Sequence, residues 1–214
     1  MNFYVYRAWG GKYTCLTAFD EDMPEPGSDQ NTVSYDAIVR GLPPPPECLE
    51  KPIRVRPYRD GRKTIDNGDF VSTSPMIISQ KVVDSMGSIL EKSGILYPLE
   101  VHEFIGNYWL FHVTNIVDCL DEDHCDGYIT RNYSHERKYT VLYQFAIDRS
   151  RLVPNMDIFC VPHYTTQCIF VSDNFLEKAK ENGLTGLRLH PENINWMTTH
   201  GKEIIVNKKL ARRK

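Results

Sequence analysis

No run of this chain approaches the ~20 apolar residues that a membrane-spanning helix needs. Its start, MNFYVYRAWGGK, lacks the basic opening and long apolar core of an export signal. The expectation from both absences is a cytoplasmic protein that does not engage a membrane. The short catalytic signatures are missing too: there is no GxSxG elbow, no GxGxxG and no phosphate-binding P-loop. HERKY, residues 135–139, fails the zinc motif HExxH because Tyr139 stands where the second histidine is needed. Basic charge is not in excess. The net charge is −3, so the chain as a whole is not built to coat nucleic acid. The six cysteines (Cys15, Cys48, Cys119, Cys125, Cys160, Cys168) are irregularly spaced and form no paired CxxC hooks. A chain of 214 residues can bury roughly 70% of its unfolded surface, so they read as reduced thiols rather than staples.

What is present is a strand-rich pattern with two helices. NFYVYRAW and KYTCLTAF flank Gly10-Gly11 and suggest a β-hairpin. Residues 20–52 turn acidic and then proline-rich, ending in GLPPPPE, which favours a polyproline II surface connection. KPIRVRPYRDGRK, residues 51–63, carries six basic residues, and its alternation reads as a half-exposed edge strand guarded by charge. Two later stretches look alike. MIISQKVVDSMGSILEKSGILYPLEV and CIFVSDNFLEKAKENGLTGLRL each run from an apolar strand through a serine placed to cap a helix, Ser79 or Ser172. Val82, Val83, Met86, Ile89 and Leu90 share one helical face, as do Phe175, Leu176 and Ala179. Gly94 and Gly183 stand where each helix is expected to stop. Either a strand–helix–strand unit is duplicated, or the chemistry of capping makes two units look alike.

The least ordinary stretch is NIVDCLDEDHCDG, residues 115–127. It closes the apolar run YWLFHVTNIV with five carboxylates, two cysteines and a histidine. An EF-hand needs Gly at position six and Glu at twelve. Counting from Asp121 puts Asp126 and Asn132 there, and counting from Glu122 puts Gly127 and Tyr133 there. Neither register fits. Cys119, His124 and Cys125 are soft donors, but an adjacent His-Cys pair rarely aims at one ion and no fourth ligand stands nearby. Cys119 is expected to face inward. The remaining reading is a solvated acidic turn, whose potential would hasten encounter with a basic partner.

The same residues resemble immunity-protein family eleven, bacterial immunity proteins of polymorphic toxin and type VI secretion systems. The likeness rests on Asn115, Asp118, Cys119 and Asp121 in the Asn-x-x-Asp-Cys-x-Asp element. A strand–Ser–helix–Thr-Gly-Leu element follows at Ser172, Leu176, Thr185, Gly186 and Leu187. DFVSTSPMIISQKVV, residues 69–83, resembles an earlier strand–helix element, so the likeness runs over roughly 69–190. The chain departs from the pattern after Asp-Cys-Leu-Asp. A serine is expected there, and Glu122, Asp123, His124 and Cys125 follow instead.

The resemblance implies a non-enzymatic cytoplasmic binder that occludes a cognate toxin, without cofactor or metal. On that basis Asn115, Asp118, Cys119, Asp121, Ser172, Thr185 and Gly186 are expected to support the fold, with Asp118 and Asp121 fixing turn amides. Glu122, Asp123 and Asp126 are expected to meet the partner. Two rival classes stand beside this one: a metal-assisted enzyme using Asp118, Asp121, His124 and Cys125, and a nucleic-acid-binding regulator using residues 51–63. The expected class is α+β, a mixed, largely antiparallel sheet with two amphipathic helices in strand–helix–strand units. Residues 1–68 are expected to form an N-terminal hairpin with surface segments, and residues 69–214 the core. Oligomeric state is not legible.

Overall fold

The computed structural model describes residues 1–8, 16–18, 46–50, 52–57, 68–72, 75–101, 106–129, 139–162, 168–195 and 204–206. The elements, in chain order, are β1 (Phe3–Ala8), β2 (Leu16–Ala18), β3 (Ile53–Pro57), β4 (Phe70–Ser72), β5 (Met76–Ser79), α1 (Gln80–Leu90), β6 (Gly94–Val101) and β7 (Tyr108–Val113). There follow β8 (Asp126–Ile129), β9 (Tyr139–Gln144), β10 (Ile158–Cys160), β11 (Ile169–Ser172), α2 (Asp173–Glu181), β12 (Leu187–Pro191) and β13 (Ile204–Ile205). The expected α+β class holds. The strands divide into a five-stranded sheet β10-β11-β1-β12-β13, a six-stranded sheet β2-β3-β6-β7-β5-β4 and the pair β8-β9. Among the described strand pairs, β3 and β6 alone run parallel.

Alternation along the strands decides where each sheet lies. Tyr4 and Tyr6 of β1 join the central core, whereas Phe3 and Val5 join a second cluster on the other face. The same division sends Ile158 and Cys160 of β10 inward and Phe159 outward, and Ile169 and Val171 of β11 inward and Phe170 outward. In the six-stranded sheet, Met76, Ile78 and Phe111 face the central core, while Ile77, Tyr97 and Leu110 face a third cluster. Both helices lie over the central core: Val82, Met86, Ile89 and Leu90 of α1 are buried, with Phe175, Leu176 and Ala179 of α2. Each large apolar side chain so buried contributes roughly 1.5–3 kcal/mol.

The expected N-terminal hairpin is not formed. β1 lies between β11 and β12 in one sheet, and β2 pairs with β3 in the other. A strand with apolar residues on both faces gains more from a central position buried on both sides than from a two-stranded ribbon. Nor is β3 an edge: β2 and β6 flank it, with Val55 buried and Arg54 exposed. Residues 58–63, most of the proline-rich stretch and the basic end at 207–214 lie outside the described residues.

The two look-alike stretches are one topological unit used twice. β4-β5-α1-β6 and β10-β11-α2-β12 each begin with an antiparallel hairpin. In each, the strand after the helix is separated from the hairpin by one antiparallel strand, β7 in the first and β1 in the second. The N-terminal strand therefore fills in the second unit the place that β7 fills in the first. An aspartate opens both hairpins. The Ser79 N–H donates to the Asp69 carbonyl (2.9 Å) and its hydroxyl to Asp69 Oδ1 (2.9 Å). The Ser172 N–H donates to the Asp157 carbonyl (3.0 Å), and its hydroxyl donates to Asp157 Oδ1.

The helix ends correct two expectations. Ser172 Oγ accepts from the Phe175 N–H (3.2 Å) and caps α2, but the Ser79 hydroxyl is committed to Asp69 and makes no cap to α1. Gly183 closes α2 with φ 61°. Gly94 does not close α1; it lies in β6, and a Cβ there would run into the His112 carbonyl and the Phe111 ring.

Candidate functional site

The acidic segment begins where β7 leaves the six-stranded sheet. Asn115 accepts the Cys160 N–H at its carbonyl (2.8 Å), and the Val117 N–H donates to the Cys160 carbonyl (2.9 Å). Ile116 thereby forms a parallel bridge to Cys160 and extends the five-stranded sheet past β10. The Asn115 side-chain amide donates to the carbonyls of Lys92 (3.3 Å) and Ile158 (3.1 Å), tying the end of α1 to β10. Asn115 is thus a stitch between the two sheets.

Beyond it, two side chains drive the segment into the outer core. Cys119 and Leu120 are buried against a cluster that holds Phe145, Ile147, Phe159 and Phe170. The Asp121 N–H donates to the Ala146 carbonyl (3.0 Å), and the Asp148 N–H to the Cys119 carbonyl (2.8 Å). Burial chiefly, with the Asp118 carboxylate adding, pushes the Cys119 thiol up to about 12. It is therefore a neutral packed group, shielded from solvent and reagents by its burial. Burial likewise raises Cys125, whose sulfur lies 3.4 Å from the Ala146 nitrogen.

A short 3-10 turn, Glu122–His124, projects from this seat. Asp121 precedes it but does not cap it; its carboxylate meets His124 Nδ1 at 2.9 Å. The expectation that Asp121 fixes a turn amide is thereby corrected, because its side chain makes no cap bond to the turn. The Asp118 carboxylate lies 3.8 Å from Arg151, which also pairs with Asp148 at 3.0 Å. Exposed pairs of this kind are screened by solvent and add little to stability. Glu122, Asp123 and Asp126 are all exposed, and Asn195 donates to Asp126 Oδ2 (2.9 Å).

The soft donors do not converge. Cys119 faces the core, His124 faces solvent and Cys125 bonds to a backbone amide. Among the described residues, no group of three or more His, Cys, Asp or Glu side chains comes together as a possible metal site.

The second motif lies at a junction between the two sheets. Thr185 receives the Asp69 and Phe70 N–H groups at its carbonyl (3.0 Å each). Its own N–H and hydroxyl donate to Asp69 Oδ2 at 2.8 and 2.9 Å. Gly186 has φ 85°, and a Cβ there would run into the Phe70 carbonyl. Only glycine fits that conformation and that approach at low cost. Lys81 completes the junction, donating to the Gly183 carbonyl (3.0 Å) and lying 3.8 Å from Asp69.

Residues 95–192 match the immunity protein family (Imm11). The family resemblance read from the sequence is borne out over that stretch. The Imm11 match holds both motifs, but it starts within β6, so it leaves out residues 69–83 and with them Asp69, the partner of Thr185. No curated protein matches the chain.

Sequence reasoning missed Asp69 and Asp157, each alone in a local stretch. A signal was available: in both units an aspartate precedes the first hairpin strand, and a serine ends the second.

Proposed function

We propose that this chain is an immunity protein that binds and neutralises a cognate bacterial toxin by occlusion, performing no chemistry of its own. The match of residues 95–192 to the Imm11 immunity protein family is the observation that carries the reading. The acidic turn supplies the surface: Glu122, Asp123 and Asp126 meet basic groups of the toxin, and the segment under them is pinned by Cys119 and Leu120. A turn anchored in the core loses little freedom on binding, so its charges act preorganised. Neutralisation calls for roughly 800 Å² buried on each partner and for slow dissociation. The toxin belongs to a polymorphic or type VI secreted system, and the encounter takes place in the cytoplasm.

Co-expression tests this. A cell made to express the product of the gene next to this one should be poisoned and should survive only when this chain is present, and the two proteins should purify as a stable pair. Death despite abundant folded chain, or turnover of the toxin by catalytic amounts of it, ends the proposal.

A further inference from the structure

The bridge between Ile116 and Cys160 uses the carbonyl of Asn115 and the N–H of Val117. In a parallel ladder this turns the N–H and C=O of Ile116 away from β10. No hydrogen bond among the described residues engages them. Ile116 is also 62% exposed, so an apolar side chain stands open beside these groups. Thr114, Ile116 and Asp118 are exposed, whereas Asn115 and Val117 are half-buried, so the segment keeps strand alternation. Among the described residues the sheet edge is open at Ile116 itself; on either side the Thr114 N–H donates to the Ser93 carbonyl (3.0 Å) and Arg151 donates to the Asp118 carbonyl (3.4 Å), which leaves the Ile116 pair as the docking point. Natural edges are usually blunted by lysine, proline, a bulge or a cover. Residues 114–118 contain neither lysine nor proline. The only charged residue in them is Asp118, and Glu122, Asp123 and Asp126 follow.

We propose that this edge receives an extended basic segment of the partner as an added β-strand, with Ile116 as its apolar contact; this rests on the immunity reading above. Strand addition draws affinity from main-chain hydrogen bonds and selectivity from alternate side chains. The acids beside the edge set the sign of the partner. They repel a second copy of this chain, which would bring an identical acidic turn to the same edge, and they favour lysine or arginine at alternate positions of the incoming strand. Acids beside an open edge therefore act both as a guard and as a filter.

The probe is the product of the gene next to this one, tested first for toxicity and then mixed with the full chain. Amide hydrogen exchange at Ile116 in the saturated complex should slow by about tenfold or more. Ile116→Ala keeps the N–H, whereas Ile116→Pro removes it without touching the bonds of Asn115 and Val117. The proline variant should bind about tenfold or more weakly than the alanine variant. An Ile116 amide that exchanges as fast in the wild-type complex as in the free chain overturns strand addition, whether or not the proline variant folds. So does a folded Ile116→Pro that binds as well as Ile116→Ala. Self-association of the free chain that protects Ile116 overturns the basic partner. If the wild-type chain neither binds the toxin nor protects against it, the immunity reading itself has failed; binding with an unprotected Ile116 removes only the added strand.

Discussion

Replacing Asp69 with alanine should cost the protein far more than one surface-loop carboxylate ordinarily would. The side chain is 14% exposed and accepts hydrogen bonds from the Ser79 hydroxyl, the Thr185 N–H and the Thr185 hydroxyl. Removing it strands those donors at the one place where β4, the start of α1 and the turn before β12 meet. Each donor left unsatisfied costs about 1–3 kcal/mol, partly recovered by entering water. The expected net loss is about 3–5 kcal/mol, or a Tm drop of roughly 6–20 °C for a chain of this size. Asp69→Asn keeps one acceptor oxygen and should lose about 1–2 kcal/mol. Urea titration is the assay, with the slope unchanged if the unfolded state is unaffected. An Asp69→Ala variant within about 1 kcal/mol of wild type would show that the junction does not hold the sheets together.

Gly186→Ala forces a Cβ toward the Phe70 carbonyl at positive φ and should cost about 2–4 kcal/mol by thermal unfolding. Cys119, buried and with its thiol pushed up to about 12, should resist iodoacetamide at pH 8 in the native chain and react on unfolding, as peptide mass mapping would show. Asp173 is partly buried, which raises its pKa, but donation from the Asn2 N–H (2.6 Å) and the Tyr4 hydroxyl (2.8 Å) outweighs this and leaves it below the usual range. A carboxyl depressed on folding gives stability that is present above its unfolded value, about 3.9, and is lost as pH falls through the folded value. Asp173→Asn should therefore flatten the acid limb of stability against pH, and an unchanged limb would contradict the assignment.

The two helices were legible because burial follows a 3.6-residue period, and Val82, Met86, Phe175 and Leu176 all lie where that period puts them. Strand β1 was legible as a strand but not as to partner. Aromatic and β-branched content marks Phe3 to Tyr6 as a strand, but pairing with β11 and β12, 165 to 187 positions away, leaves no local trace. Ser79 looked like a cap because residue type and spacing fit, but a distant aspartate competes for its hydroxyl. In the acidic segment the inward Cys119 followed from its place at a strand end. The Asn115 stitch and the free edge at Ile116 depend on how β7 runs over to β10, which only the three-dimensional arrangement reveals.

The most direct test of the account is affinity for the toxin measured against salt, with Glu122, Asp123 and Asp126 all changed to lysine. The account predicts a folded triple variant whose association at low salt is slower by about tenfold or more, and a wild-type rate that falls as salt rises. A triple variant that captures the toxin as fast and as tightly as wild type at every salt concentration would contradict the claim that this face makes the contact.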